Sequence, residues 1–231
     1  MQIFDSRKKT ARLAGVIYLI VVISGIFSLL YVPSQLMDWE SNANTVSNIQ
    51  ASQLLFKLGA VAEITCYVAF LFLPLVLFKL FQKINNEISI LMVLLVVVGA
   101  AISFVAIPDK FNVISLLTSE QQSTNFLGLQ LEQHVMLALE SYYNVILIAQ
   151  VFWGLWLFPF GYLVYRSGFL PKILGIFLML GCFGYLTEFL GEIFIDNYFD
   201  TLLSDIAGIP SAIGEIGICL WLLIAGVKKE T

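Results

Sequence analysis

Apolar residues fill six stretches of this chain, 13–32, 54–78, 88–107, 144–165, 173–195 and 206–227, and polar residues collect between them. Each stretch holds about twenty residues or more, and at 1.5 Å of rise per residue that crosses a hydrocarbon core of about 30 Å. The pattern predicts six transmembrane helices. The turns 79–87 and 166–172 are short, the second punctuated by Gly168 and Pro171, whereas 33–53 and 108–143 are long. Within the long connections, 45–55 and 126–139 carry apolar residues at helical spacing. They predict helices lying on the outer surface or extending the following span upward.

Charge then orients the helices. Ten of the twelve basic residues stand at stretch ends that alternation places on one side: Arg7, Lys8, Lys9 and Arg12, then Lys79 and Lys83, then Arg166 and Lys172, then Lys228 and Lys229. Only Lys57 and Lys110 fall on the other side. Under the positive-inside rule both termini are expected in the cytoplasm, and the protein in the plasma (inner) membrane. The basic amino terminus looks like a signal peptide at first, but the run to Val32 is long for one and no small-x-small cleavage site precedes Pro33, so a retained first helix is expected.

Composition agrees with this picture. Hydrophobic residues make up 59% of the 231, charged ones 12%, and the mean hydropathy is +0.91, far too apolar for a soluble domain. The expected fold is all-α, a polytopic membrane helical bundle forming one integral domain over residues 1–231. The net charge of -4 is segregated by sign, and no basic run interleaved with aromatics suggests nucleic acid. Cys66, Cys182 and Cys219 lie inside apolar stretches with no Cys-x-x-Cys spacing and read as small buried hydrophobes.

The chemistry of interest is carboxylate. Glu63, Glu188 and Glu215 sit inside predicted spans, 13 to 16 positions from the nearest inner-side lysine, which predicts a shared depth in the outer third of the bilayer. Glu192 follows Glu188 by one turn. Small residues precede each acid by a turn: Gly59 and Ala60, Gly184, and Ser211 and Ala212. In membrane helices such residues mark close helix contact, so the acids, with Glu192, are expected to line the bundle interior. A carboxylate at membrane depth costs about 2.5–3.5 kcal/mol, so its retention demands an explanation. One is an outward-facing acidic pocket for a proton, a small cation or a cationic solute; the other is a protonated acid hydrogen-bonded across a helix contact for packing.

Other chemistries find less support. Carboxylate-bridged metal centres in bundles use Glu-x-x-His pairs, and the chain has one histidine, His134, in an outer connection. No metal site and no cofactor is expected. Neither a phosphate-binding glycine loop nor a Gly-x-Ser-x-Gly elbow is present. Trp153, Trp156 and Trp221 read as packing or interface anchors.

A short internal echo links the halves. Arg12-Leu-Ala-Gly15 resembles Lys172-Ile-Leu-Gly175, and Ala60-Val-Ala-Glu63-Ile64 resembles Ala212-Ile-Gly-Glu215-Ile216, as a duplicated helical hairpin would produce.

Three stretches carry a family resemblance: Lys9-Thr-Ala-Arg-Leu-Ala-Gly-Val-Ile-Tyr18, then Gly161-Tyr-Leu-Val-Tyr-Arg-Ser-Gly-Phe-Leu-Pro-Lys-Ile-Leu-Gly175, and Gly214-Glu215 with Leu220-Trp-Leu-Leu. They are similar to an uncharacterised prokaryotic membrane family catalogued as domain of unknown function 4386. The resemblance implies a multi-helix membrane protein in which the acid after Gly214 recurs, and it supplies no substrate, reaction or cofactor. The segment from Phe111 to His134 departs from it. The leading expectation is therefore a membrane protein binding or transporting a small cation, proton or cationic solute at Glu63, Glu188, Glu192 and Glu215. Its alternatives are a structural or regulatory membrane subunit and, third, a membrane-embedded lipid-modifying enzyme. The lipid bilayer is the one partner that the apolar stretches require.

Overall fold

In a computed structural model, residues 2–118 and 128–228 are described, with side chains from 6 to 118 and from 130 to 228. Among them every regular element is helical: α1 (Gln2–Gly25), α2 (Val32–Leu36), α3 (Asn42–Ala51), α4 (Gln53–Phe81), α5 (Asn86–Thr118), α6 (Gly128–Leu155), α7 (Leu157–Arg166), α8 (Lys172–Phe194), α9 (Leu202–Ala207) and α10 (Ile209–Ile224). They make six runs long and apolar enough to cross a membrane: Ser6–Leu36, Gln53–Phe81, Asn86–Thr118, Gln130–Arg166, Lys172–Phe194 and Leu202–Ile224. This is an all-α, multi-pass membrane protein.

Two of the six runs, the first and the third, are longer than the hydrophobic pattern alone predicts, because prolines expected to end helices do not; the fourth is longer because α6 starts early. Pro33 follows a π-helical turn, Ile26–Tyr31, in which the Val32 N–H reaches back five residues to Phe27 O. The wider turn makes room for the proline ring, and α2 carries the helix on to Leu36. Pro108 lies inside α5, which runs for 33 residues, about 50 Å, and so exceeds the hydrocarbon core. Pro159 cannot donate to Leu155, the residue at which α6 hands over to α7. The predicted outer connection 108–143 is thus largely the end of α5 and the start of α6; its part 119–127, like Lys229, lies outside the described residues.

The chain packs as two compact units, residues 1–20, 68–101 and 147–231, and residues 21–67 and 102–146. In the first, the core is aromatic. Trp156 stacks on Phe160 at 5.0 Å, meets Phe70 edge-on at 5.3 Å, and lies 6.1 Å from Tyr18. Helix α8 runs antiparallel to α9 and α10 along a seam of small residues: Leu174 faces Gly217, Leu178 faces Gly214 and Gly181 faces Ser211 on α10, and Gly184 faces Ala207 on α9. Such residues let backbones approach, which in lipid is the main source of helix affinity.

In the second unit, α3 lays one face on the core and leaves the rest exposed. Val46 and Ile49 join Val32, Leu36, Phe56, Val113, Val135 and Leu139 in one buried cluster. Its corner is set by hydrogen bonds at Asp38. The buried Thr45 hydroxyl accepts from the Asp38 N–H at 2.8 Å and donates to the Asp38 carbonyl at 2.9 Å, and Asn44 Nδ2 donates to Asp38 Oδ2 at 2.8 Å. The Asn44 amide, and then the Glu40 N–H, hold the Asp38 carboxyl below its usual range. A depressed carboxyl stabilises the folded corner above its unfolded pKa and loses that contribution as pH falls through the folded one. Protection of the amides over 42–48 from exchange, relative to their intrinsic rates, should therefore fall as pH drops below the ordinary aspartate range, and Asn44→Ala should remove most of that pH dependence; an unchanged profile in the variant would refute it.

Candidate functional site

The first carboxylate lies in the second unit. Glu63 and Tyr67 stand one turn apart on α4, Lys110 comes from α5 and Tyr142 from α6. Glu63 Oε1 accepts from the Tyr67 and Tyr142 hydroxyls, each at 2.6 Å, while Oε2 pairs with the Lys110 ammonium. That ammonium also sits 4.3 Å from the centre of the Tyr142 ring, within reach of a cation–π attraction. All four side chains are sealed: Glu63 is 0% exposed, Tyr67 1%, Tyr142 2% and Lys110 5%. The two charges balance inside this cluster and its side chains are sealed from the surface, so an external ligand has neither a charge to neutralise nor an opening there.

Glu215, in the first unit, is held differently. Tyr18 of α1 donates to Oε2 at 3.0 Å and Tyr185 of α8 donates to Oε1 at 3.2 Å. Among the described residues no Lys, Arg or His pairs with it, and it is half-buried rather than sealed. Two close helix approaches bring the phenols in. A Cβ at Gly15 would stand 2.5 Å from the Leu223 nitrogen, so α1 lies backbone to backbone on α10 and presents Tyr18, one turn further along. A Cβ at Gly154 would stand 2.5 Å from the Tyr185 Cβ, which seats Tyr185 hard against α6.

The remaining acids do not join either cluster. Extending the α8–α10 register places Glu215 opposite Phe177, about eleven residues or 16 Å of helix from Glu188. The two are not level, as counting from Lys172 and Lys228 had suggested, because the chain turns back after Ile224: Gly226 takes φ +69° and Lys228 N–H bonds to Phe169 O. Glu188 is half-buried beside Gly208, 3.5 Å from where a Cβ there would stand. Glu192 is exposed, since the stripe Gly181, Gly184 and Gly191 faces the packed side and Glu192 is turned away from it by one residue. Both charges bear on Tyr198, whose ring covers Gly191; burial first, and then Glu188 and Glu192, push its phenol up.

The sequence profile of a family described as a domain of unknown function, DUF4386, matches residues 13–226. The chain belongs to this family. An uncharacterized protein of Archaeoglobus fulgidus is 32% identical over 90 residues, 39% of this chain. The chain spans about half the length of that curated relative, 51%. No solved structure matches it.

For this DUF4386 chain the structure adds five residues to the acids singled out in the sequence: Lys110, Tyr67 and Tyr142 around Glu63, and Tyr18 and Tyr185 around Glu215. Tyr67 was within reach of sequence reasoning, at i+4 from Glu63. Lys110 was hidden by taking Pro108 as a helix end, although the apolar residues Val113, Ile114, Leu116 and Leu117 continue the helical period past it. His134 is exposed on α6, and among the described residues no group of three His, Cys, Asp or Glu is placed to hold a metal ion.

Proposed function

We propose that this protein binds a small cation or a proton at Glu215, as a plasma-membrane protein with both termini in the cytoplasm. The contrast between the two carboxylates carries the reading. Glu63 has a counter-ion built into the chain, whereas Glu215 has two phenol donors and an unmatched charge in an apolar unit. An unbalanced carboxylate in a membrane helix is costly, and an ion or proton from outside the chain relieves that cost.

The test is Glu215→Gln, which keeps shape and hydrogen bonding but removes the charge and its titration. The melting temperature of the detergent-solubilised wild type should move with pH and with added cations, and that of the variant should not. Superimposable curves for the two proteins would refute the site.

A structural reading is favoured for Glu63 alone, because its cluster is closed. Orientation rests on the basic residues at the inner ends of the spans, with Lys110 now accounted for as an internal ion-pair partner. Reporters fused after Thr231 and within 119–125 should report opposite sides of the membrane; agreement between them would overturn the orientation.

A further inference from the structure

The Glu63 cluster shows what a carboxylate with two phenol partners takes in this fold. Its occupant is an ammonium, that of Lys110, which donates to one carboxylate oxygen and lies against a tyrosine ring. Glu215, within the same Ala-x-x-Glu-Ile pattern, has the same kind of partners in another arrangement: two phenols again donate, here one to each oxygen rather than both to one, and the Tyr18 ring packs on Trp156 at 6.1 Å and on Phe160 at 6.4 Å. What it lacks is the ammonium.

From this we infer that the Glu215 cradle takes the primary ammonium group of a small amine, in the way that Glu63 holds Lys110. The inference rests on Glu215 being a cation site and names its ligand. Each Glu215 oxygen has one lone pair engaged by a phenol and one left to accept. An ammonium brings three donors and needs no further oxygen ligands, and its charge is drawn to ring faces. Hard metal ions demand six or more oxygens, a set that one carboxylate and two donating phenols do not provide. A quaternary ammonium has the charge but no N–H to give the carboxylate. Glu215 is half-buried, whereas Glu63 is 0% exposed.

The experiment uses the full chain in detergent at fixed pH and ionic strength, with methylammonium, tetramethylammonium, sodium and potassium chlorides as probes. Methylammonium should raise the wild-type melting temperature by about 3–6 °C at tenfold its Kd, and the other three should not. Glu215→Gln should abolish the rise. Because the variant can fail on its own, a second measurement uses wild type alone: hydrogen exchange of the amides over 209–218, read by mass spectrometry, should be slowed by methylammonium and not by tetramethylammonium. If sodium or potassium stabilises and methylammonium does not, the amine is refuted while the cation site stands. A response to pH alone also refutes the amine and leaves a proton site. No response to any cation or to pH refutes both readings, and equal methylammonium stabilisation of Glu215→Gln places binding elsewhere and refutes the inference.

Discussion

A Lys110→Met variant should melt about 6–20 °C below wild type. The substitution removes the ammonium and leaves Glu63 charged, 0% exposed, with two phenols as its only partners among those described. Removing one member of a buried ion pair costs about 3–5 kcal/mol, and for a chain of this size each kcal/mol moves the midpoint by about 2–4 °C. The damage lies in the orphaned charge, not in lost packing, since Met fills much the same space as the lysine stem. Adding Glu63→Gln should therefore restore most of the loss: the amide oxygen still accepts from Tyr67 and Tyr142, and no buried charge remains. A double-mutant cycle followed by thermal unfolding in detergent measures this coupling. A double variant no more stable than Lys110→Met would show that Lys110 acts through packing.

Gly15→Val should damage fold and site together. Its Cβ would fall 2.5 Å from the Leu223 nitrogen, 2.7 Å from the Leu223 Cα and 2.9 Å from the Leu222 carbonyl carbon, all backbone atoms that cannot swing aside. Helix α1 must then lift from α10, at a cost of about 1–3 kcal/mol for overpacking, and Tyr18 moves off Glu215. The expected result is a melting temperature several degrees lower and a loss of any response to pH or cations. Gly25→Ala on the same helix is the control. Its Cβ would meet only Cys66 Sγ, at an ordinary 3.5 Å, and alanine favours helix, so the protein should be no less stable. Equal effects at the two glycines would mean that close approach at Gly15 is not what positions Tyr18.

The six runs were legible in the sequence because lipid imposes a length and a polarity that no tertiary contact overrides. Their ends were not, because in a membrane helix neighbouring turns and helices compensate a proline's missing N–H, as at Pro33 and Pro108. The acids were legible as anomalies for the same reason that the runs were. Their partners were not. Tyr142 lies 79 positions from Glu63, Tyr18 lies 197 from Glu215, and Lys110 lies 47 from Glu63, separations that no periodicity along one helix encodes. Small residues before each acid did mark packed faces, but a face is about a third of a helix, too coarse to tell the half-buried Glu188 from the exposed Glu192.

The pairing of Glu63 with Lys110 bears on how the chain enters the membrane. Helices α4 and α5 are consecutive, joined across residues 82–85, so both charges belong to one hairpin of the nascent chain. Inserted singly, each helix would carry an uncompensated charge, whose cost rises to about 2.5–3.5 kcal/mol toward the bilayer centre. Inserted as a hairpin, the two enter already neutralised by each other. Biogenesis should therefore treat α4 and α5 as a single insertion unit, with the later helix required before the earlier one is fully at home in lipid.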